Sequence, residues 1–155
     1  MKGNQQVLEQ LQQLLESELT AFDQYFVHAR MYADWGLIKL DERISHEADE
    51  EKLHAQLLID RILFLEAKPN LSVRNPLNIG SDVLMMLEND LNYEYAVADK
   101  LRKAIAVCEQ QNDYQTRQIL LKLLEDTEED HMFWLEQQVG IIEKIGIENY
   151  LQSQM

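Results

Sequence analysis

Six residues of this sequence have the types and the spacing that bind metal ions: Glu18, Glu51, His54, Glu94, Glu128 and His131. Two of the four glutamates are followed three residues later by a histidine. Because positions i and i+3 lie on one face of a helix, both side chains of such a pair can reach the same ion. Carboxylate and imidazole ligands together suit iron, manganese or zinc. We therefore predict that Glu51 with His54, and Glu128 with His131, each bind one metal ion.

Each half of the chain contains one lone glutamate and then one Glu-x-x-His motif. The interval from Glu18 to Glu51 is 51 − 18 = 33 residues, and the interval from Glu94 to Glu128 is 128 − 94 = 34 residues. A single Glu-x-x-His motif is common by chance on surface helices. Two such motifs, each matched by a lone glutamate, are much more specific. The alternative is a buried ion network or a solvent-facing set of side chains without a metal.

Infrequent turn residues divide the chain into long helices. The sequence has 5 glycines and 2 prolines among 155 residues, and good helix formers dominate the rest. The predicted helices run from about Gln5 to Trp35, Leu37 to Glu66, Asp82 to Gln111 after a capping Ser81, Tyr114 to Val139, and Ile147 to Gln152. Gly140 and Gly146 are expected to interrupt the tail.

The connections between these helices predict the topology. The first two helices are joined tightly, as are the third and fourth, whereas Ala67 to Gly80 contains both prolines and forms one long connection. That segment can cross the length of a helix bundle. The expected fold is all-α: a ferritin-like four-helix bundle with one long crossover and a short fifth C-terminal helix. We expect one domain over residues 1–155.

The core-facing stripe of each predicted helix is apolar except near its middle, where a glutamate occurs. A buried, unpaired carboxylate costs several kcal/mol and normally takes up a proton. Four carboxylates in a dry core therefore need counter-charge, and two divalent cations supply four positive charges. This balance predicts a site for two metal ions inside the bundle.

Composition restricts the partners and the compartment. The formal net charge is −14, which repels nucleic acids and anionic membranes and attracts cations. No apolar run reaches the roughly 18 residues of a membrane span, and no signal-like apolar core follows Met1. The single cysteine, Cys108, cannot form an internal disulfide. A reducing cytoplasm is the expected location.

Four segments resemble bacterioferritin sequences: Gln24-Tyr25-Phe26-x-His28-Ala29-Arg30-Met31, Asp34-Trp35-Gly36, Arg61-Ile62-Leu63-Phe64-Leu65-Glu66 and Glu148-Asn149-Tyr150-Leu151-Gln152. The resemblance spans essentially the whole chain. It implies a hollow shell of twenty-four subunits that oxidises Fe(II) with O2 or peroxide at a di-iron centre and stores ferric mineral. By this resemblance Glu18 and Glu94 are terminal ligands, Glu51 and Glu128 bridge the irons, and His54 and His131 each bind one iron.

The sequence departs from the resemblance at Lys52. Bacterioferritins place a haem-ligating methionine directly after the bridging glutamate of the second helix, and a protonated lysine has no lone pair to offer. We therefore expect no haem in a homo-oligomer. The chain resembles the ferroxidase-type subunit of bacteria whose shells can also contain haem-binding chains. The resemblance also implies a small iron–sulfur ferredoxin as a candidate reductant, which in the family docks near that haem.

Tyr25, His46 and Glu50 each allow more than one interpretation, as does the function. Tyr25 can hydrogen-bond a ligating carboxylate, relay an electron or simply pack. His46 and Glu50 match positions that bind transit iron in the family, or they form an ordinary solvated face. The alternative functions are a di-iron peroxidase or oxygenase on the same bundle, and a haem-carrying or structural shell subunit.

Overall fold

The computed structural model describes residues 1–155, which form six α-helices and one π-helical segment and contain no β-strand. The elements are α1 (Gln5–Asp34), α2 (Ile38–Phe64), α3 (Val83–Gln110), α4 (Tyr114–Glu125), the π segment (Asp126–Met132), α5 (Phe133–Ile145) and α6 (Ile147–Gln154). The predicted all-helical bundle with a long crossover and a short C-terminal helix is confirmed. No helix combines the length and the apolar character needed to cross a membrane.

The ends of the first two helices are well defined. The Asn4 side chain accepts hydrogen bonds from the backbone N–H groups of Gln6 and Val7, at 2.9 and 3.2 Å, which caps the start of α1. Gly36, with φ +77°, makes the tight turn into α2. The α1 and α2 helices then pack along each other. This pair provides one half of the bundle.

The long crossover follows α1. Its backbone is bound by α1 side chains in sequence order: Asn70 contacts Gln12, Asn75 contacts Thr20, Asn78 contacts Gln24 and Gly80 contacts His28. These polar contacts satisfy backbone groups of a segment that has no regular structure of its own. The crossover therefore carries the chain along the bundle to the start of α3.

The start of α3 differs by one residue from the prediction. Asp82, not Ser81, is the N-cap, because its carboxylate accepts a hydrogen bond of 2.9 Å from the Met85 N–H group. Gly80 lies directly before this cap. A Cβ atom at Gly80 would come within 2.6 Å of the Met86 backbone nitrogen. This close approach explains why a glycine occupies the end of the crossover.

The fourth rod of the bundle is one continuous run of α4, the π segment and α5. The prediction that Gly140 interrupts the helix is wrong, because α5 continues to Ile145 and ends at Gly146, where φ is +81°. The sequence pattern also predicted an α-helix over residues 126–132, where the structure has a π-helix. A π-helix closes its turns with i→i+5 hydrogen bonds and holds an extra residue per turn. This segment passes directly beside the polar centre of the bundle.

Two apolar clusters fill the core. One cluster of 15 buried residues includes Leu15 and Leu58, and the other, of 14 buried residues, includes Ala21 and Ala48. The two clusters therefore occupy successive turns on either side of Glu18 and Glu51. The apolar layers above and below exclude water from the polar layer between them.

Candidate metal centre

Glu51 lies at the centre of the polar layer and faces a different histidine with each of its oxygens. Its Oε1 is 3.0 Å from Nδ1 of His131, and its Oε2 is 3.6 Å from Nδ1 of His54. The residue is 1% exposed. A carboxylate placed in this way can bridge two ions, one near each histidine.

The first position lies among Glu18, Glu51 and His54. One ligand atom from each of the three buried side chains lies within 4.8 Å of the others. Oε2 of Glu18 is 3.0 Å from Nδ1 of His54, whereas Oε1 of Glu18 is buried without a hydrogen-bond partner. A buried, unpartnered carboxylate oxygen is costly unless a cation shares the site.

The second position lies among Glu51, Glu94 and His131, which are also buried and within 4.8 Å of one another. Oε1 of Glu94 is 3.5 Å from Nδ1 of His131. The Tyr25 hydroxyl donates a hydrogen bond to this same Glu94 oxygen. Of the three roles considered for Tyr25, the structure shows the hydrogen bond to a carboxylate of the cluster.

The two histidine rings are stacked across the centre, with ring centroids 5.8 Å apart and an interplanar angle of 15°. Both rings turn Nδ1 toward the Glu51 carboxylate. Both also turn Nε2 away from it toward other acids: His54 toward Asp126, and His131 toward Glu47 and Glu50. In most protein metal sites, a histidine that binds the metal through one ring nitrogen contacts a carboxylate or another acceptor through the second.

Glu128 is the one predicted residue that the structure does not bring into the cluster. Its carboxylate forms an ion pair with Arg102 on α3, and its side chain is 37% exposed. The structure therefore places the Glu128 carboxylate outside the group around Glu51, and its role as a ligand stays a prediction. The other five predicted residues, Glu18, Glu51, His54, Glu94 and His131, lie together.

The π segment explains the position of Glu128. The prediction assumed α-helical geometry, in which residues three apart share a face. Glu128 and His131 both lie inside the π segment, where the wider turn separates the directions of such residues. The buried neighbour in that turn is Thr127, whose hydroxyl donates to the Leu123 carbonyl at 2.9 Å.

Two acids near the centre, Asp126 and Asp130, were not predicted from the sequence motifs. Asp126 contacts His54, and Asp130 joins Glu47, Glu50 and His131 in a further group of possible ligand atoms. The extra residue in the second half of the chain, 34 against 33, is the size of insertion that one π turn absorbs. The unequal spacing of the two halves is therefore the sequence signal that could have indicated the π turn.

Nε2 of His46 lies 2.8 Å from a Glu50 oxygen on α2, and the other Glu50 oxygen lies 2.7 Å from Nε2 of His131. His46 itself is well exposed, with a 59% accessible side chain. Glu50 thus connects the exposed side of α2 with the buried imidazole. The pair is neither isolated from the centre nor part of the group around Glu51.

Burial and close packing change the protonation of the cluster. Burial, together with the charge of Glu51, raises the pKa of Glu18 to about 8. Burial alone would raise the pKa of Glu51, but hydrogen bonds with Glu18 and both histidines outweigh it and lower that pKa. Burial opposes a charged imidazole, yet the hydrogen bonds to Glu18 and Glu51 raise the pKa of His54 to about 11.

The pKa of His131 is also raised, because its hydrogen bonds to Glu47, Glu51 and Glu94 outweigh its burial. Glu51 therefore stays ionised more readily than Glu18, and the raised pKa values of both imidazoles favour their protonated forms. A cation replaces such protons at the ligand atoms. The donor set of three buried carboxylates and two imidazoles fits two divalent ions of the iron, manganese or zinc type.

Lys52 lies on the outer face of α2, next to Glu51 in sequence but directed away from it. Its ammonium group is 5.7 Å from the centre of the Phe22 ring, a distance at which a cation is attracted to an aromatic face. The side chain is exposed. The side chain at the position of the bacterioferritin haem ligand is thus an ammonium group rather than a thioether.

A candidate site for two metal ions, buried between the helices of such a bundle, is typical of the ferritin-like di-metal proteins. Comparison with known proteins agrees: the ferritin-like domain family matches residues 8–145. The chain belongs to the ferritin family.

Its relatives match along almost their full length. The bacterial ferritin of Synechocystis sp. is 61% identical over 155 residues, covering 100% of this chain and 99% of that protein. The bacterial ferritin of Neisseria meningitidis serogroup B is 51% identical and covers 100% of both chains. The bacterioferritin of Brucella melitensis biotype 1 is 41% identical over 152 residues, covering 98% of this chain and 94% of that protein.

Proposed function

We propose that this chain stores iron and oxidises Fe(II) to Fe(III), with two Fe(II) ions bound on either side of Glu51. The observation that carries the proposal is the geometry of Glu51, whose two oxygens face two separate groups of buried ligands. Membership of the ferritin family supports the same function. The chain is a ferroxidase whose metal substrate enters a centre built from carboxylates and imidazoles.

The side chains of the centre bind and orient the two ions. Glu51 bridges them, His54 and Glu18 bind one ion, and His131 and Glu94 bind the other. Hard carboxylate oxygens suit both Fe(II) and Fe(III), so the ligands tolerate the change of oxidation state. Each Fe(II) gives one electron to an oxidant, O2 or peroxide. The Fe(III) either moves to the mineral or remains bound.

Glu128 completes the six-ligand set in this proposal by exchanging its partner. Its carboxylate leaves the half-exposed ion pair with Arg102 and turns toward the second ion. An exposed ion pair of this kind stabilises a conformation by only about 0–1 kcal/mol, which ligation by a divalent ion readily exceeds. Glu128 thus acts as a second bridge, opposite Glu51.

The test is Fe(II) oxidation, followed by ferric-oxo absorbance in the near ultraviolet. We expect Glu51→Ala to abolish the fast phase and Glu128→Ala to slow it strongly, because a bridge is lost in each case. Glu143→Gln removes a charge at an exposed position of α5 and is the matched control. If wild type and Glu51→Ala oxidise iron at the same slow rate, the ferroxidase assignment fails.

The setting of the reaction is also proposed. Twenty-four subunits form a hollow cytoplasmic shell, alone or together with haem-binding chains, and a small iron–sulfur ferredoxin is a candidate reductant for iron release. The net charge of −14 draws Fe(II) to the shell. Large apolar side chains remain exposed on α1 and α2, including Phe26, Leu53 and Leu57, and such a surface suits contact with other subunits.

We further propose that a shell of this chain alone binds no haem, because Lys52 replaces the ligand. Haem reconstitution of the wild type is expected to give no Soret band from ligated haem, whereas Lys52→Met is expected to give one. Lys68→Met, at an exposed position of the crossover, is the control for non-specific haem uptake. A bis-ligated spectrum from the wild type would refute the argument.

A further inference from the structure

We infer that Asp126 is a positioning residue for His54: it holds the ring so that Nδ1 presents its lone pair to the ion between Glu18 and Glu51. The inference rests on the proposed function, since it concerns the same centre. Asp126 was not part of the motif from which the centre was predicted. It enters through the π segment, of which it is the first residue.

The geometry of His54 assigns the roles of its two nitrogens. Nδ1 is 3.0 Å from Glu18 and 3.6 Å from Glu51, whereas Nε2 is 3.1 Å from Oδ2 of Asp126. An imidazole that binds a cation through Nδ1 keeps its proton on Nε2. Asp126 accepts the hydrogen bond of that Nε2–H group, which fixes both the tautomer and the ring plane.

The two histidines of the centre are held by different means. Nε2 of His131 forms a hydrogen bond of 2.7 Å with Glu50, and a Glu47 oxygen lies at the same distance, so a second carboxylate remains beside that ring. Nε2 of His54 has the single acid Asp126, whose side chain is 32% exposed and lies 3.4 Å from the Lys122 ammonium. Loss of Asp126 therefore leaves Nε2 of His54 with no carboxylate partner. The carboxylates beside Nε2 of His131 are unaffected by that loss.

This asymmetry predicts a selective effect on one ion. Removing a carboxylate that supports a ligating histidine typically lowers metal affinity by about 10- to 100-fold. We expect that loss at the Glu18–Glu51–His54 position and little change at the Glu51–Glu94–His131 position. A general weakening of the fold would affect both positions together.

The experiment is a titration of the metal-free, full-length protein with Co(II), followed by its d–d absorption. Wild type is expected to bind two Co(II) per subunit with high affinity. Asp126→Ala is expected to keep one and to bind the other about 10- to 100-fold more weakly. Asp126→Asn is expected to lie between them, because its amide oxygen still accepts from Nε2–H. Lys122→Gln breaks the exposed ion pair but keeps the carboxylate, and it is expected to match wild type.

Thermal unfolding of the metal-free variants separates positioning from folding, and Asp126→Ala is expected to unfold within a few degrees of Lys122→Gln. Two results would overturn the inference. One is wild-type affinity for both ions in Asp126→Ala. The other is complete loss of one ion, as in His54→Ala, which would make Asp126 a ligand. A wild type that binds no Co(II) would refute the proposed function and the inference with it.

Discussion

At the scale of single residues, the centre combines groups that hold protons with a group that does not. The pKa of Glu18 is raised to about 8 and that of His54 to about 11, while the pKa of Glu51 is lowered. The folded protein therefore binds more protons than the unfolded chain between the ordinary and the raised pKa values. Ions that bind at these atoms must displace protons.

The stability of the metal-free protein should therefore fall as pH rises. The contribution of His54 is fully present below its unfolded pKa of about 6.5 and is lost as pH rises toward about 11. Glu18 acts in the same direction between 4.5 and about 8, because only the folded form keeps its proton there. We expect the melting temperature to decrease from about pH 6 to about pH 9, as measured by differential scanning calorimetry.

Zn(II) affinity should rise over the same range, because fewer protons must be displaced. Glu18→Gln removes one of the titrating groups and should make the fall in melting temperature shallower. A melting temperature that rises from pH 6 to pH 9 without metal would contradict the assigned directions.

Two buried tyrosines offer a matched comparison of polar contacts. The Tyr25 hydroxyl donates to Glu94, whereas the Tyr32 hydroxyl has no hydrogen-bond partner. Tyr25→Phe should lower the unfolding free energy by about 1–3 kcal/mol, because it leaves a buried carboxylate short of a donor. Tyr32→Phe should be neutral or slightly stabilising. Chemical denaturation of the metal-free variants measures both, and equal losses would show that the Glu94 contact contributes nothing.

At the scale of the helices, the sequence predicted long helices and their partners well because hydrophobic periodicity is a local signal. For the same reason, five of the six predicted ligand residues, all except Glu128, lie together in the structure. Glu128 lies outside this group because the chain forms a π turn where the prediction assumed the α-helical period. The hydrophobic period of a single helix does not show at which residue a π turn accommodates an extra residue.

Helix ends supply a second prediction. Gly80→Ala should destabilise the protein by about 1–3 kcal/mol, because its new Cβ atom would meet the Met86 backbone at the start of α3. The matched control is Gly140→Ala in the interior of α5, where a Cβ atom meets nothing within 4 Å. That variant should gain up to about 1 kcal/mol from higher helix propensity. A lower melting temperature for Gly80→Ala and a higher one for Gly140→Ala would support both arguments. A Gly80→Ala variant as stable as wild type would refute the first.

At the scale of the whole molecule, the proposed shell depends on the exposed apolar side chains of α1 and α2. A shell of twenty-four chains of 18.2 kDa has a mass of about 24 × 18.2 ≈ 437 kDa. Leu53→Glu with Leu57→Glu should break the assembly into smaller species, because it places charges where an apolar contact is expected. Native mass spectrometry measures the result.

Gln118→Glu adds the same kind of charge on the exposed face of α4 and should leave the assembly intact. A wild type that runs only as a monomer or dimer would argue against the shell. A double variant that still forms the full assembly would instead place the subunit contact elsewhere on the molecule.

Because Glu51 faces both proposed ion positions, we expect the two ions to be thermodynamically interdependent. An ion near His54 orients and partly neutralises the same group that the ion near His131 must use. Linkage requires this influence to be reciprocal, so each ion changes the affinity for the other by the same factor. Stepwise binding constants of this centre therefore contain a coupling free energy. A singly occupied centre is a distinct species, not half of a filled one.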